Sequence, residues 1–531
     1  MLTERLCGAT FLRCDASIRL RDKAFAVHVD RMHQAWARVR IGCVAGAVFL
    51  VAAAGCKGDV SSGEMPPPAP VVKPVTPIGA DKGALRRRDG KQVLLRGVNA
   101  RVAGVFDVSF DDGRAPLEAI PDFTIDDARL ARALGFDVLR LPVNWSALEP
   151  MRGGYRAAYL DRIAQVVDAC RAAGIWVLLD MHQDAYSKEI GEDGAPLWAI
   201  QPPPDQLLGG PLTDLGERRT STQVLRAFKG FFEEDRNSLQ SVFADAAAHV
   251  LARFDGDEQV IGLEIYNEPL TTQAALDAFH VKVAGRLRAV SKKIVAFEPN
   301  SIRNFVDSAP IAVAPFPVEN ALYAPHVYTL AFGDPKNELA SLTPERLARS
   351  VENARDEAAA WGTPLLIGEL GIAPDATNWD RWIQYEYEAQ DAVLASSTFW
   401  VWKEESQGSW GLFDKTNGAW TLRTAYAQAV SRAYVQAAGG DLVSMKVATN
   451  GGKPRVSLSI AYEVRRRDGV DPIDEVYVPE LFAGGAFALC CDGKCTSGAL
   501  VPPRDPATGI VRVSCGTTGS HTIELKPAGG P

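Results

Sequence analysis

A (β/α)8 barrel followed by a small C-terminal β-sandwich is the fold this sequence predicts, on three observations. Short apolar, β-branched runs alternate with amphipathic helical stretches between residues 90 and 436. A polar or charged residue stands just after most of those runs, where a parallel barrel carries its chemistry. Beyond Tyr434 the helical stretches stop, and short strands separated by turn residues take over. An open doubly wound sheet is the alternative, but the Gly-rich dinucleotide loop that would mark it is missing.

The first 82 residues read as address and tether rather than fold. Ile41–Ala54 is an apolar run preceded by Arg38 and Arg40 and closed by Gly55-Cys56. It is short for a transmembrane span and has the layout of a signal peptide. Ala53-Ala54-Gly55-Cys56 resembles a bacterial lipobox, which makes Cys56 a lipidation site, with a plain signal peptide as the competing reading. Met32 sits where an ordinary signal sequence would start, and translation is expected to begin there. Residues 57–82 are rich in Pro, Gly and Ser, a spacer between a membrane surface and a folded domain. The chain is thus expected to be exported and anchored on the cell envelope, or secreted.

Strands are expected at Val93–Asn99, Val138–Pro142, Trp176–Met181, Ile261–Tyr266, Ile294–Glu298, Ala321–Tyr328, Leu365–Glu369 and Thr398–Trp402. Helices are expected at Ile125–Ala133 and Tyr159–Ala173. In the second, Leu160, Ile163, Val166, Val167 and Cys170 form one apolar stripe, so Cys170 is packing. Residues 185–245 exceed the needs of a single loop. They carry an apolar set (Leu197, Trp198, Ile200, Leu207, Leu208) and an amphipathic stretch, Thr222–Phe232, which either shape a binding site or pack upon themselves. The barrel is expected to span residues 83–438. Ala437–Gly440 reads as a hinge into a sandwich over 439–531 that buttresses the barrel or binds sugar. Cys490, Cys491, Cys495 and Cys515 suit two disulfides of undecided pairing, a zinc site being the competing reading.

Net charge is −8, with 47% hydrophobic and 23% charged residues. This balance is ordinary for a globular protein and offers no basic face for nucleic acid. Glu268 (Ile265-Tyr266-Asn267-Glu268-Pro269) and Glu369 (Ile367-Gly368-Glu369-Leu370-Gly371) end the fourth and seventh strands, which face each other across a barrel mouth. Two carboxylates about 5–5.5 Å apart are what retaining glycoside hydrolysis uses. A metal or a structural arginine are the other uses of such a pair.

The neighbouring motifs decide between these. Leu95-Arg96-Gly97-Val98-Asn99, Arg140-Leu141-Pro142, Asp180-Met181-His182, Asn267-Glu268-Pro269, His326-Val327-Tyr328, Gly368-Glu369 and Trp400–Trp402 follow one another at strand ends. In this order they resemble glycoside hydrolase family 5. The resemblance implies Glu268 as acid/base, protonated near neutral pH, and Glu369 as nucleophile, kept ionised by Arg140. It further implies Asn267 on the sugar 2-OH, His182, His326 and Tyr328 as orienting groups, and Trp402 as the platform under the sugar. Leu179–Ser187 with Gly194–Ala199 is similar to the endoglycoceramidase group of that family, which cleaves glycan from ceramide. There Asp184 would bind sugar hydroxyls, with Lys403 and Glu404 as further subsite residues. The chemistry calls for no cofactor and no metal. The expected partners are a glycolipid or oligosaccharide and, through the N-terminal lipid, a membrane surface, with the protein acting as a monomer. A β-glucanase or β-mannanase acting on soluble polysaccharide is the rival enzyme, and a dead glycan-binding lipoprotein the rival from another class.

Overall fold

The computed structural model describes residues 76–81, 83–310, 315–332, 338–405, 410–479, 487–496 and 504–527. The expected signal sequence, the expected lipobox with Cys56 and most of the proline-rich spacer lie outside them. The chain enters through three short antiparallel strands: β1 (Ile78–Asp81), β2 (Ala84–Arg87) and β3 (Gln92–Val93). The barrel then follows in parallel strands: β4 (Arg96–Asn99), β5 (Val138–Val143), β6 (Trp176–Met181), β7 (Val260–Glu264), β8 (Ile294–Phe297), β9 (Ala321–Tyr323), β10 (His326–Val327), β11 (Leu366–Leu370) and β12 (Ser396–Phe399). β9 and β10 are halves of one stave, broken at Pro325, which has no N–H to give a ladder. A parallel bridge from Tyr323 to Leu365 and the β12–β4 pairing close the ring.

These strands are buried on both faces, which is why they read as continuous apolar runs rather than alternating ones. Helices clothe the outside at the expected places, Ile125–Ala133 and Ala157–Ala173. The first opens with a reciprocal capping box between Thr124 and Asp127. The second ends at Gly174, whose left-handed φ of 71° terminates the helix.

After a hairpin, β13 (Phe413–Thr416) with β14 (Ala419–Leu422), come β15 (Tyr434–Ala438), β16 (Gly440–Thr449), β17 (Ser457–Arg466), β18 (Asp474–Tyr477), β19 (Phe487–Cys491), β20 (Lys494–Cys495), β21 (Ile510–Val513) and β22 (Ser520–Pro527). They build two sheets, β1-β2-β3-β15-β18-β21 and β16-β17-β22-β19-β20. Between them lies a core of Leu442, Met445, Val447, Ile460, Val464, Val476, Val511 and Ile523. Two expectations are corrected here. Val93–Asn99 is not one strand: Val93 pairs with Ala437 in the sandwich, whereas Arg96 begins the barrel. Ala437–Gly440 is not a hinge, because it continues from one strand into another with buried backbone. Disulfides join Cys490 to Cys495 and Cys491 to Cys515, and Cys170 is a buried free thiol.

Candidate active site

Arg140 is the hub of the barrel mouth. Its guanidinium, fully buried, donates to Glu264 (2.6 and 3.0 Å), Asn99 (3.1 Å), Asn267 (2.8 Å), Glu298 (3.3 Å) and Glu369 (2.8 Å), and lies 3.1 Å from Asp180. A buried cation demands such pairing, and burying this many carboxylates demands a cation. Burial opposes the charge of Arg140, but the surrounding carboxylates hold its pKa well above the ordinary value.

Glu369 ends β11. Its Oε1 takes the Arg140 bond and its Oε2 accepts from the Tyr328 hydroxyl at 2.8 Å. Burial and the Glu369 charge both push the Tyr328 phenol up, so it remains a donor. Glu268 stands opposite, two residues past Tyr266, with a left-handed φ of 41°, a backbone that bulky residues avoid. Its Oε1 accepts from Asn304 Nδ2 at 2.6 Å and lies 2.8 Å from His326 Nδ1. Atoms of Glu268, His326 and Glu369 lie within 4.8 Å of one another. That is well inside the 6.5–9.5 Å separation that an inverting pair leaves for water and agrees with a retaining pair. Within this triad both oxygens of Glu369 and Oε1 of Glu268 have partners in Arg140, Tyr328, Asn304 and His326.

Gly368 lets the His326 ring lie across β11, since a β-carbon there would come within 3.2 Å of it. Burial lowers the basicity of His326, but Glu298, Glu369 and the bond to Glu268 raise it well above normal. Glu268 responds in the opposite sense: burial pushes it up, yet His326, then Arg219 and His182, bring it below the usual carboxylate range. His326 Nδ1 and Glu268 Oε1 thus form a pair whose opposite shifts favour the charged form of each. His182 bonds Asp180 through Nδ1 at 2.6 Å, and burial pushes it down to about 3.

Most of the expected residues converge: Arg140, Asn267, Glu268, His326, Tyr328 and Glu369 share one bonded cluster, with His182 beside it through Asp180. Trp402 does not. It is buried, its indole donates to Asp127 at 3.1 Å, and it packs on Phe123, Phe136 and Phe413. The physical reason is register: β12 ends at Phe399, so the next residue, Trp400, occupies the mouth and stacks over His182 at 5.8 Å and 12°. Lys403 goes with Trp402, paired to Asp127. Glu404 lies 3.0 Å from Arg101, which also pairs with Glu118 and Glu192 behind Phe106. Asp184 is gripped through both oxygens by Arg219 of the insertion helix Leu215–Arg219. Sequence reasoning passed over Glu264, Glu298, Asn304 and Arg219. Glu298 carried a usable signal, being an acidic residue just after a strand, as Glu268 and Glu369 are near theirs.

A closed β/α barrel with a carboxylate pair at the C-terminal ends of opposite staves defines a hydrolase of glycosidic bonds. Its family can be stated outright: residues 98–406 match the model of the cellulase family, glycosyl hydrolase family 5, and the chain belongs to it. Endoglycoceramidase I of Rhodococcus hoagii is 27% identical over 484 residues, covering 86% of this chain and 89% of that protein. The fold is similar to that of endoglycoceramidase II from Rhodococcus sp., solved as a complex with ganglioside GM3, with a TM-score of 0.69 at 24% identity over 84% of this chain and 100% of that one. An endogalactoceramidase structure has a TM-score of 0.62 at 22% identity, covering 85% and 99%.

Proposed function

We propose that this chain is a retaining, endo-acting β-glycosidase that hydrolyses the bond between glycan and ceramide in glycosphingolipids. The observation that carries the chemistry is the meeting of Glu268 and Glu369 around one imidazole. The likeness to an endoglycoceramidase along most of the chain points to the substrate. Leu197 and Leu207 of the long insertion, 44% and 41% exposed, offer hydrocarbon to a lipid aglycone.

Glu369, aligned by Arg140 and Tyr328, attacks the anomeric carbon. Glu268 protonates the departing ceramide oxygen, and a glycosyl-enzyme forms. Water then enters, gives its proton to Glu268 and releases the glycan with its configuration retained. Asn267 receives the sugar 2-OH, and Trp400 supplies the face beneath the ring. Export and lipidation at Cys56 place the enzyme at a membrane surface, with residues 57–82 as its tether; Cys56→Ser should abolish incorporation of labelled fatty acid.

The test is a panel of gangliosides, simple glycosylceramides and soluble β-glucans given to the purified protein. Intact oligosaccharide and ceramide should appear with wild type and not with Glu369→Gln. Shortening of polymer without release of ceramide overturns the proposal in favour of a β-glucanase.

A further inference from the structure

Glu298 follows β8, is buried, and has no part in the scheme above. Its Oε2 accepts the backbone N–H of Glu268 at 3.2 Å. Its Oε1 lies 3.3 Å from His326 Nε2. That nitrogen is buried and makes no well-aligned hydrogen bond, an arrangement that costs free energy unless the bond closes at some stage of the cycle. On the other side of the ring, His326 Nδ1 is 2.8 Å from Glu268 Oε1. One carboxyl group therefore faces both the backbone of Glu268 and the imidazole that touches its side chain.

We propose that Glu298 is a positioning residue for the general acid: it accepts the Nε2–H of His326 and so makes Nδ1 the nitrogen that lends a proton to Glu268 and takes it back. The inference rests on Glu268 being the acid/base. An imidazole has one basic nitrogen when the other is fixed as a donor, so the partner at Nε2 sets the chemistry at Nδ1. When a sugar ring covers the mouth and removes water from Glu268, its charged form loses solvation. The Nδ1–H bond then breaks, an Oε1–H bond forms, and His326 is left neutral with its remaining proton toward Glu298. Glu268 passes the borrowed proton to the leaving oxygen. In the second half of the cycle the attacking water loses a proton to Glu268, which returns it to Nδ1, so the cycle consumes and produces none.

The groups facing this relay are Arg140 from β5, Asp180 and His182 from the end of β6, Glu264 from β7, Tyr328 after β10, Glu369 from β11 and Arg219 from the insertion. Burial pushes the Glu298 carboxyl well above its ordinary range, with His326 pulling the other way.

The experiment compares wild type, Glu298→Ala, Glu298→Gln and Glu268→Ala on a glycosylceramide, whose alkoxide is a poor leaving group, and on a dinitrophenyl glycoside, which departs unprotonated. Glu298→Ala should lose about 10²-fold in kcat/KM on the glycolipid while the dinitrophenyl rate stays near wild type. The basic limb of its glycolipid pH profile should move to lower pH, and Glu298→Gln, which keeps an acceptor oxygen, should recover part of the loss. Equal losses on both substrates, or an unmoved basic limb, overturn the proposal. If Glu298→Ala does not fold, the basic limb of Glu298→Gln decides alone. Glu268→Ala separates the two ideas. If it shows the leaving-group split and the Glu298 variants do not, only this inference falls; if it lacks the split, the acid assignment falls with it.

Discussion

At the foot of the barrel, Leu95, Val138, Leu178, Ile294, Leu322 and Leu366 fill the lumen with hydrocarbon. At the mouth of the same staves, Arg140, Asp180, Glu264, Glu298, His326 and Glu369 fill it with ionisable groups that are equally buried. The foot gains from every methylene removed from water. The mouth must offset the desolvation of each charge with a partner, and substituting apolar side chains there is the kind of change that commonly raises stability. Strands of this length thus separate two tasks: the lower residues hold the fold, and the upper ones are retained for chemistry.

That division can be tested from its largest expected consequence downward. Glu369→Gln should reduce turnover by about four orders of magnitude or more while the Tm stays level or rises. Matched rate assays and calorimetry check this, and a large fall in Tm would dissolve the contrast between the two ends. Glu268→Ala should cost about 10²–10⁴-fold on glycolipid and little on an activated aryl glycoside, read by steady-state kinetics with both substrates. At the foot, Leu178→Ala should cost about 2–5 kcal/mol of stability and leave kcat/KM of the folded enzyme unchanged, read by denaturant unfolding alongside activity.

The two tryptophans of the eighth stave give a finer cut. Trp402→Ala should behave as a core truncation, costing about 3–5 kcal/mol, whereas Trp400→Ala should depress kcat/KM with a smaller loss of stability. The smallest effect concerns pH. The folded-state pKa of His326 is raised, so its contribution to stability is complete below its unfolded value near 6.5 and is lost as pH rises through the folded value. The Tm of wild type should therefore fall on the alkaline side, less steeply in His326→Gln; parallel curves would show that His326 is uncoupled from folding.

The barrel was legible because its strands are buried on both faces and leave uninterrupted apolar runs, with helices of unmistakable period between them. The carboxylate pair was legible because each acid closes such a run. What failed was register. In Thr398–Trp402 three large aromatic residues stand within four positions, and hydrophobicity alone cannot say which one leaves the sheet; the choice fell on Trp402 when β12 ends at Phe399. The sequence also cannot announce that Leu94 and Leu95 mark the passage between two sheets, because both sides of that passage are apolar. The hub role of Arg140 exceeded expectation for a similar reason: partners such as Glu264 and Glu298 come from separate strands, and only closure of the ring makes them neighbours.

The pairing of Val93 with Ala437 has a consequence for how the molecule is made. A polypeptide emerging from the ribosome offers β3 early, but its partner appears more than three hundred residues later. Until then the edge of β3 and the apolar foot beside it have nothing to cover them. The sandwich therefore cannot be completed until segments from both ends of the folded region have met. Shortened versions that stop at residue 433, before β15, should be sticky and short-lived, and exchanging the C-terminal sheet for that of a relative would mean exchanging the first strands as well.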